Sequence, residues 1–484
     1  MIKLIKNEFI KLFCKASTWV LLVLLALSVI GVGALVKLAD YLSSDVYYSY
    51  DYAYAVVDEA EDLASFYESE LKELEEDYAE GWWDEESYEV QKKEIEFCAD
   101  NEIPAADYYG YNYTWRSDAI YDTFWNFYYE ATYGEDASMT ASYTTWYEQA
   151  CQAILDDDWK LYYQTLADYY DVIDPDNTST WHMIADYYYA QDTEPDFDAW
   201  DYEVLWDYSS AKIELDSYDE QIAEGISVDQ ETYDQTQSMY LISKYRLDNQ
   251  IEQAIYYDYD SEMYMVDGDY FSSLDTSISL VSLVSILMII FAGGIIAKEF
   301  SMGTIKFYLI NPVSRRKLFW SKYLTILLLS VFLTIVSFLG SVLVATLMFG
   351  LSGASTQYLY VADGELHTMT AFLYILKEYA LNFAGCIPNI TLAFAISALA
   401  RSSSLAIGLS IAVQLCGSTI TSLFALFNLD FGRYLLFANT DLSSLLQGTS
   451  MFANHTIGFA LCTIVVYMVV FLLTGYDGFT RREV

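Results

Sequence analysis

The sequence lacks the features on which soluble enzymes commonly depend. Its 484 residues contain no G-x-x-x-x-G-K-[ST] segment, and the glycine pair at 293–294 lies inside an apolar run without phosphate-loop spacing. The six cysteines are far apart in the sequence and show no metal-ligand spacing. Residues 40–275 contain a single histidine, His182, and a lone histidine is more often structural than catalytic. We therefore expect no enzyme, with no catalytic residue, cofactor or metal in this chain.

Basic residues are scarce and unevenly spread. The chain has 24 Lys and Arg against 69 Asp and Glu, a formal net charge of −45. Sixteen of the basic and nine of the acidic residues lie outside residues 40–275, which leaves eight basic and sixty acidic residues inside, a balance of −52. The same region holds 37 of the 46 tyrosines and nine of the eleven tryptophans. Because disordered acidic segments are poor in aromatic residues, we expect this region to fold.

Six apolar runs are long enough to cross a bilayer as helices. We predict spans at residues 16–38, 277–297, 323–351, 372–400, 405–427 and 455–476. Residues 298–322 hold six basic residues between two of these runs, and the cytoplasmic side of a membrane favours such clusters. The sequence therefore predicts a multi-pass protein of the cell membrane, surrounded by lipid. Its termini (1–15 and 477–484) are expected to be cytoplasmic, and residues 39–276 and 428–454 extracellular.

The first fifteen residues have the pattern of an amphipathic helix lying in the cytoplasmic membrane interface. One helical face carries Ile2, Ile5, Phe9, Leu12 and Phe13, and lysines occupy the others. The alternative is the basic start of a signal peptide. The apolar run 16–36 is too long for a typical signal peptide, and no clear A-x-A site follows.

The acidic region has a helical pattern throughout. We predict two helical hairpins, at about 55–100 and 205–255, with shorter helices Trp115–Thr132, Ser142–Leu155 and Trp159–Tyr170 between them. The fold class is therefore predicted to be all-α. It comprises a bundle of six membrane helices with a large acidic helical domain between the first and second spans.

The acidic region leaves two questions open. Cys98 and Cys151 can form a disulfide if the region is extracellular, or remain buried free thiols, and their spacing does not decide between these alternatives. A surface charge of −52 would attract a cationic ligand, such as a basic peptide, but it would equally keep an exposed domain soluble. Nucleic acid is not expected as a partner.

The basic loop carries Glu299, Gly303-Thr304-Ile305-Lys306 and Pro312-Val313-Ser314-Arg315. In these sequence motifs the loop resembles the loop after the second span of ABC-2-type permeases, the membrane subunits of many ATP-driven exporters. The resemblance covers residues 1–38 and 276–484 and is specific only in this loop. It implies a coupling element on which a separate ATPase pushes, formed by Glu299, Gly303, Thr304, Lys306, Pro312, Arg315 and Arg316. The alternative is an ordinary loop whose basic residues only set the orientation.

The resemblance also implies partners. A cytoplasmic ABC ATPase would hold ATP and Mg, and a second permease, identical or different, would complete a dimer. The substrate of such an exporter, a peptide, a lipid-like molecule or a drug, is not identified by the sequence. A mechanotransmission or sensing protein, and a membrane-anchored binding protein without an ATPase, are the alternatives. Residues 434–447 resemble the outer re-entrant helix of the family.

Two sets of residues in the spans have a candidate role. Ser404, Gly408, Ala412 and Cys416 form a stripe of small side chains, which permits close helix packing within the subunit or at a dimer seam. The candidate substrate path consists of Asn382, Asn389, Gln414 and Thr419. The alternative for Asn382, Pro388 and Asn389 is a polar kink of the fourth span whose hydrogen bonds are satisfied within the chain. No chain of intramembrane Asp, Glu or His indicates an ion-driven transporter.

Overall fold

The chain folds as two compact, mostly helical units. The computed structural model describes residues 2–47, 63–108, 114–176, 178–191, 194–197, 199–259, 263–266, 268–303, 314–351, 356–400, 402–447, 450–452 and 455–481. One unit, here called the membrane unit, comprises Met1–Tyr41, Val266–Tyr358 and Met369–Val484. The other, the aromatic unit, comprises Leu42–Met265 and Leu359–Thr368.

The membrane unit contains the long apolar helices. Among the described residues, six helices are long and apolar enough to cross a membrane. In chain order these spans 1 to 6 are Ala16–Ala39, Asp269–Ser301, Arg315–Phe349, Ala371–Leu399, Ser403–Leu426 and Ile457–Thr480. Each coincides with a predicted span, with ends displaced by up to eight residues. The remaining elements are the helix Ile2–Phe13, the 3-10 turns Asp430–Tyr434 and Leu436–Asn439, and the short helix Leu442–Gln447.

Span 2 forms the centre of the membrane unit. It is the most deeply buried of the six and packs against spans 3, 4 and 5. At Gly293 an added Cβ would lie 3.1 Å from Ile407 Cγ1, so a glycine allows spans 2 and 5 to approach closely. The helix is interrupted at Ile296, where the backbone N–H groups of Ile296 and Ala297 donate to Ser397 Oγ at 3.2 and 3.0 Å. This hydroxyl satisfies the donors that the interruption leaves free.

The segment predicted as a re-entrant helix consists of short helical pieces. Gly385 of span 4 faces this segment so closely that a Cβ there would lie 1.9 Å from the Thr440 carbonyl oxygen. Asn439 is fully buried, donates to the carbonyl oxygens of Arg433 and Leu435 at 2.8 and 2.6 Å, and contacts His455 Nε2 through its own Oδ1 at 2.9 Å. The segment is therefore packed into the membrane unit by specific polar contacts.

The aromatic unit contains the two predicted helical hairpins. The first joins Leu63–Glu80 to Glu85–Asp100, and the second joins Trp200–Ala223 to Gln230–Asn249. Each turn contains a glycine with positive φ, Gly81 at 86° and Gly225 at 82°, a conformation that other residues adopt only with strain. An aspartate then caps each second helix: Asp84 accepts from Ser87 N at 2.8 Å and Asp229 from Thr232 N at 3.1 Å.

Shorter helices lie between the hairpins. They are Ala105–Tyr108, Trp115–Tyr121, Tyr129–Tyr133, Thr140–Asp156, Trp159–Ile173 and Thr180–Ala190, with a π-helical segment at Asp122–Tyr128. The three predicted middle helices are confirmed, and the helix Thr180–Ala190 was not predicted. Their core is built largely of aromatic rings in edge-on contact, such as Phe127 with Tyr169 at 5.1 Å between ring centroids. Large buried rings explain how so acidic a segment folds.

The all-α prediction needs one correction. The chain also forms a four-stranded sheet in the order β2-β1-β3-β4. Its strands are β1 (Ala254–Asp258), β2 (Met263–Val266), β3 (Gln357–Ala362) and β4 (Glu365–Thr370). Ala254 and Leu359 are fully buried with Ile242 in a small apolar core. Apolar pairing between distant segments therefore creates strands that a local helical pattern does not reveal.

Candidate coupling site

A buried lysine joins three elements of the membrane unit. Lys322, in the first turns of span 3, is completely buried. Its Nζ donates to Glu8 Oε2 at 2.9 Å, to Glu299 Oε1 at 2.8 Å and to the Ile295 carbonyl oxygen at 3.4 Å. The three ammonium protons thus have three acceptors. The contact links the N-terminal helix, the end of span 2 and the start of span 3.

A second lysine lies at the edge of this network. Lys11 Nζ is 3.3 Å from Glu8 Oε1 and 3.7 Å from Glu299 Oε1, and its side chain is 47% exposed. Solvent screens its contribution, whereas Glu8, at 5% exposure, is buried. Lys322 and Lys11 thus each contact both glutamates. Removing one partner of a buried ion pair typically costs about 3–5 kcal/mol because an uncompensated charge remains.

The N-terminal helix is fixed at its other end as well. It ends at Phe13, and the carbonyl oxygens of its last turn have no partner within the helix. Thr18 Oγ1 donates to the Leu12 carbonyl oxygen at 2.6 Å, and Trp19 Nε1 donates to the Phe13 carbonyl oxygen at 2.9 Å. Both donors lie in the first turn of span 1, so the N-terminal helix and span 1 are held together.

The start of span 3 also contacts the end of span 6. Arg315 Nη1 donates to the Thr480 carbonyl oxygen at 3.1 Å. The Phe319 ring lies 5.5 Å from that of Tyr476 and 5.9 Å from that of Phe479 between centroids. The site thus gathers the ends of four spans and the N-terminal helix.

The predicted coupling residues are only partly described. Glu299 belongs to the network, and Arg315 contacts span 6. Arg316 is exposed, and exposed Gly303 has a positive φ of 67°, as a tight turn requires. Thr304, Lys306 and Pro312 lie outside the described residues. Glu8 was not predicted as a member of the site, and Lys322 was predicted only as one of the six basic residues at 298–322.

The small-residue stripe of span 5 lies on an exposed face. Ser404, Gly408, Ala412 and Cys416 are all exposed, and an added Cβ at Gly408 would meet no atom within 4 Å. The buried side of this helix carries Ala406, Ser410 and Thr421 instead. The stripe therefore does not pack against the described residues of this subunit, and the dimer seam stays a prediction.

The four residues of the candidate substrate path fall into two groups. Asn382 Nδ2 and Thr419 Oγ1 donate to carbonyl oxygens of their own helices, at 3.0 Å in each case. Asn389 Oδ1 and Gln414 Oε1 are buried and accept no hydrogen bond from the part of the chain that the structure describes. Two buried polar oxygens in the spans therefore have no hydrogen-bond donor among the described residues.

The two cysteines of the aromatic unit are free thiols in this structure. Cys98 is buried and Cys151 is half-buried. Burial raises the pKa of Cys98 far above its ordinary value and that of Cys151 to about 11. Neither carries the thiolate character of a reactive cysteine. Among the described residues, no group of three or more His, Cys, Asp or Glu side chains is placed to hold a metal ion.

The part of the chain that the structure describes contains six apolar helices of membrane length, most with long stretches of exposed aliphatic side chains, and they define a helical membrane protein. The chain belongs to the family described as "Protein of unknown function (DUF2705)", whose model matches residues 238–484. It is 34% identical over 215 residues to the Bacillus subtilis (strain 168) "Uncharacterized protein YhcI", covering 44% of this chain and 68% of that protein. It is 30% identical over 219 residues to the "Uncharacterized membrane protein YdbK" of the same organism, covering 45% and 85%. No solved structure matches.

Proposed function

We propose that this chain is the membrane subunit of an ABC exporter of ABC-2 type. It would couple ATP hydrolysis by a separate ATPase to the outward movement of a substrate. The observation that carries the proposal is the buried contact of Lys322 with Glu8 and Glu299. It joins a residue of the ABC-2-like loop to the N-terminal helix, and in that family these two segments lie side by side at the ATPase.

The network gives a physical route for coupling. A push on the loop after span 2 displaces Glu299, and a buried ion pair resists separation more than it resists movement as a unit. Lys322 therefore carries the displacement into span 3 and, through Glu8, into the N-terminal helix. The hydrogen bonds of Thr18 and Trp19 pass it on to span 1. The membrane helices then move together rather than one at a time.

The charge distribution supports one orientation of the chain in the membrane. In the proposal the loop 298–322 and both termini face the cytoplasm, where the ATPase is, and the aromatic unit is extracellular. The −52 balance of residues 40–275 would draw cationic molecules towards the outer face. Asn389 and Gln414, with their unpaired oxygens, are the residues we propose for the path through the spans.

We propose that span 5 forms the contact surface of the dimer. Its exposed small side chains would allow a second permease, identical or different, to approach closely in the membrane. A mechanotransmission role, in which the ATPase moves the aromatic unit without transport, is the second candidate. Transport measured in sealed vesicles containing the purified complex separates the two roles.

Co-purification from membranes of the native host tests the coupling proposal. The full chain should recover a nucleotide-binding partner, identified by mass spectrometry as an ABC-type ATPase, and the complex should hydrolyse ATP. Recovery should fall about tenfold in Lys322→Met and Glu299→Gln, the equivalent of about 1.4 kcal/mol of binding. The control Lys37→Met removes the same charge from an exposed position at the far end of span 1 and should change nothing. Absence of an ATPase from the wild-type preparation, or equal recovery with all variants, would contradict the proposal.

A further inference from the structure

The aromatic unit contains a cavity of about 510 Å³, within the range of small-molecule sites. Eight aromatic rings line it, among them Tyr162, Tyr170, Trp181 and Tyr202. The polar lining residues are Asp118, Asp122 and Asn126, apart from the tyrosine hydroxyls, and no Lys, Arg or His is among the lining residues. The cavity is thus apolar and aromatic, with acidic groups on one side.

The two carboxyl groups of the cavity have different surroundings. Asp122 accepts from the Tyr162 hydroxyl and from Asn126 Nδ2, each at 2.6 Å. Asp118, one helical turn earlier, makes no hydrogen bond or ion pair through its side chain with any residue that the structure describes. Burial, with the nearby charge of Asp122, raises the pKa of Asp118 to about 7, and burial raises that of Asp122 to about 6. A buried carboxylate without a counter-ion is costly, so a cation would be stabilised here.

The backbone at the cavity is also unusual. Asp122 begins a seven-residue π-helical segment, Asp122–Tyr128, between the helices Trp115–Tyr121 and Tyr129–Tyr133. Such segments are rare and occur frequently at functional sites, because the inserted residue redirects side chains. Here the segment starts at a lining carboxylate and contains the asparagine that holds it. This observation is independent of the charge and of the rings.

We propose that this cavity binds a small organic ammonium ion with an apolar or aromatic body. The positive charge would lie against Asp118 and Asp122, and the body would lie against the rings. Aromatic faces attract cations through their quadrupole, and ring-lined sites suit quaternary ammonium groups in particular. The site goes beyond the proposed export function, because binding in the aromatic unit requires neither an ATPase nor movement of the spans.

Calorimetric titration of the full chain in lipid nanodiscs with benzyltrimethylammonium tests this site. Phenylmethanesulfonate, which keeps the ring and reverses the charge, serves as the comparison ligand. We expect saturable binding of the cation alone, weakened about tenfold or more by Asp118→Asn. Asp168→Asn removes the same charge from an exposed position on the helix Trp159–Ile173 that does not line the cavity, and it should bind as the wild type does.

A second variant guards against a folding defect at Asp118. Tyr121 lines the cavity and is 59% exposed, so Tyr121→Leu removes a ring without opening the core. It should weaken cation binding about threefold or more, from the loss of a cation–π contact. No binding by the wild type, equal binding of the sulfonate, or wild-type affinity in both variants would overturn the proposal. These results are independent of vesicle transport, so failure of either proposal can be recognised separately.

Discussion

Lys322 illustrates how much depends on one side chain. Lys322→Met keeps the length of the side chain but leaves buried Glu8 and largely buried Glu299 with only the half-exposed Lys11 as a cation. We expect a loss of about 3–5 kcal/mol in the free energy of unfolding, the typical cost of breaking a buried ion pair. Denaturant unfolding of the purified chain in detergent measures it. Lys37→Met is the matched control, and the triple change Glu8→Gln, Glu299→Gln, Lys322→Met should cost less than Lys322→Met alone. Equal free energies of unfolding for Lys322→Met and the wild type would show that the network does not stabilise the fold.

Glu94 predicts a pH dependence in the aromatic unit. It is 5% exposed and accepts from Trp125 Nε1 at 2.9 Å, and burial raises its pKa from 4.5 to about 7. The folded protein favours the neutral form of the Glu94 carboxyl. The stability that the neutral carboxyl contributes is therefore fully present below pH 4.5 and is lost as the pH rises through 7.

Replacement of Glu94 by glutamine keeps an acceptor for Trp125 and removes the titration. Glu94→Gln should match the wild type near pH 4 and exceed its stability by about 3 kcal/mol near pH 8.5, because the wild-type pKa is about 7 instead of 4.5 and each pKa unit is worth about 1.36 kcal/mol. Denaturant unfolding followed by tryptophan fluorescence at both pH values measures this difference. Glu89→Gln, exposed on the same helix, should show no such gain. A difference that does not change with pH would contradict the assignment.

The position of Glu8 in the N-terminal helix was a sequence signal for the buried network that was overlooked. Ile5, Glu8 and Leu12 are spaced by three and four residues, so Glu8 shares the packed face with apolar neighbours. A lone glutamate on that face among lysines indicates a buried partner of opposite charge. The partner itself, Lys322, could not be identified, because it lies 314 residues away in the sequence.

At the scale of elements, helices and spans were predictable from local pattern, and the sheet was predictable only in part. The turn Asp363-Gly364, with φ of 54° and 76°, was a local signal for a β-hairpin, because both residues adopt the positive φ of a type I′ turn. It was overlooked within a connection between spans. The pairing of β1 with β3 had no local signal, since about a hundred residues separate the two strands.

Span 5 carries a prediction of its own. In a chain whose only cysteine is Cys416, oxidative cross-linking in native membranes should give a covalent dimer, because residues near a two-fold axis approach their own copies. The control retains only a cysteine at Ser418→Cys, which is exposed on a different face of the same helix. Gel electrophoresis without reductant measures the covalent dimer formed by each of the two chains. Equal cross-linking at the two positions, or no cross-linking at Cys416, would contradict the proposed dimer seam.

At the scale of the whole molecule, composition alone separated two parts. The aromatic, acidic segment folds around buried rings, and the apolar segments form helices of membrane length. Family membership covers residues 238–484 and carries no assigned activity. The proposed export function therefore depends on the loop resemblance, on the buried network beside it, and on that network facing the proposed ATPase.

Sidedness is the measurement that tests the export proposal most directly. In a cysteine-free chain, Arg316→Cys marks the coupling site and Glu75→Cys marks an exposed position on the aromatic unit. A membrane-impermeant maleimide added to intact cells should label position 75 at once and position 316 only after the membrane is permeabilised. Labelling of position 316 in intact cells, or protection of position 75, would contradict a cytoplasmic coupling site and an extracellular aromatic unit.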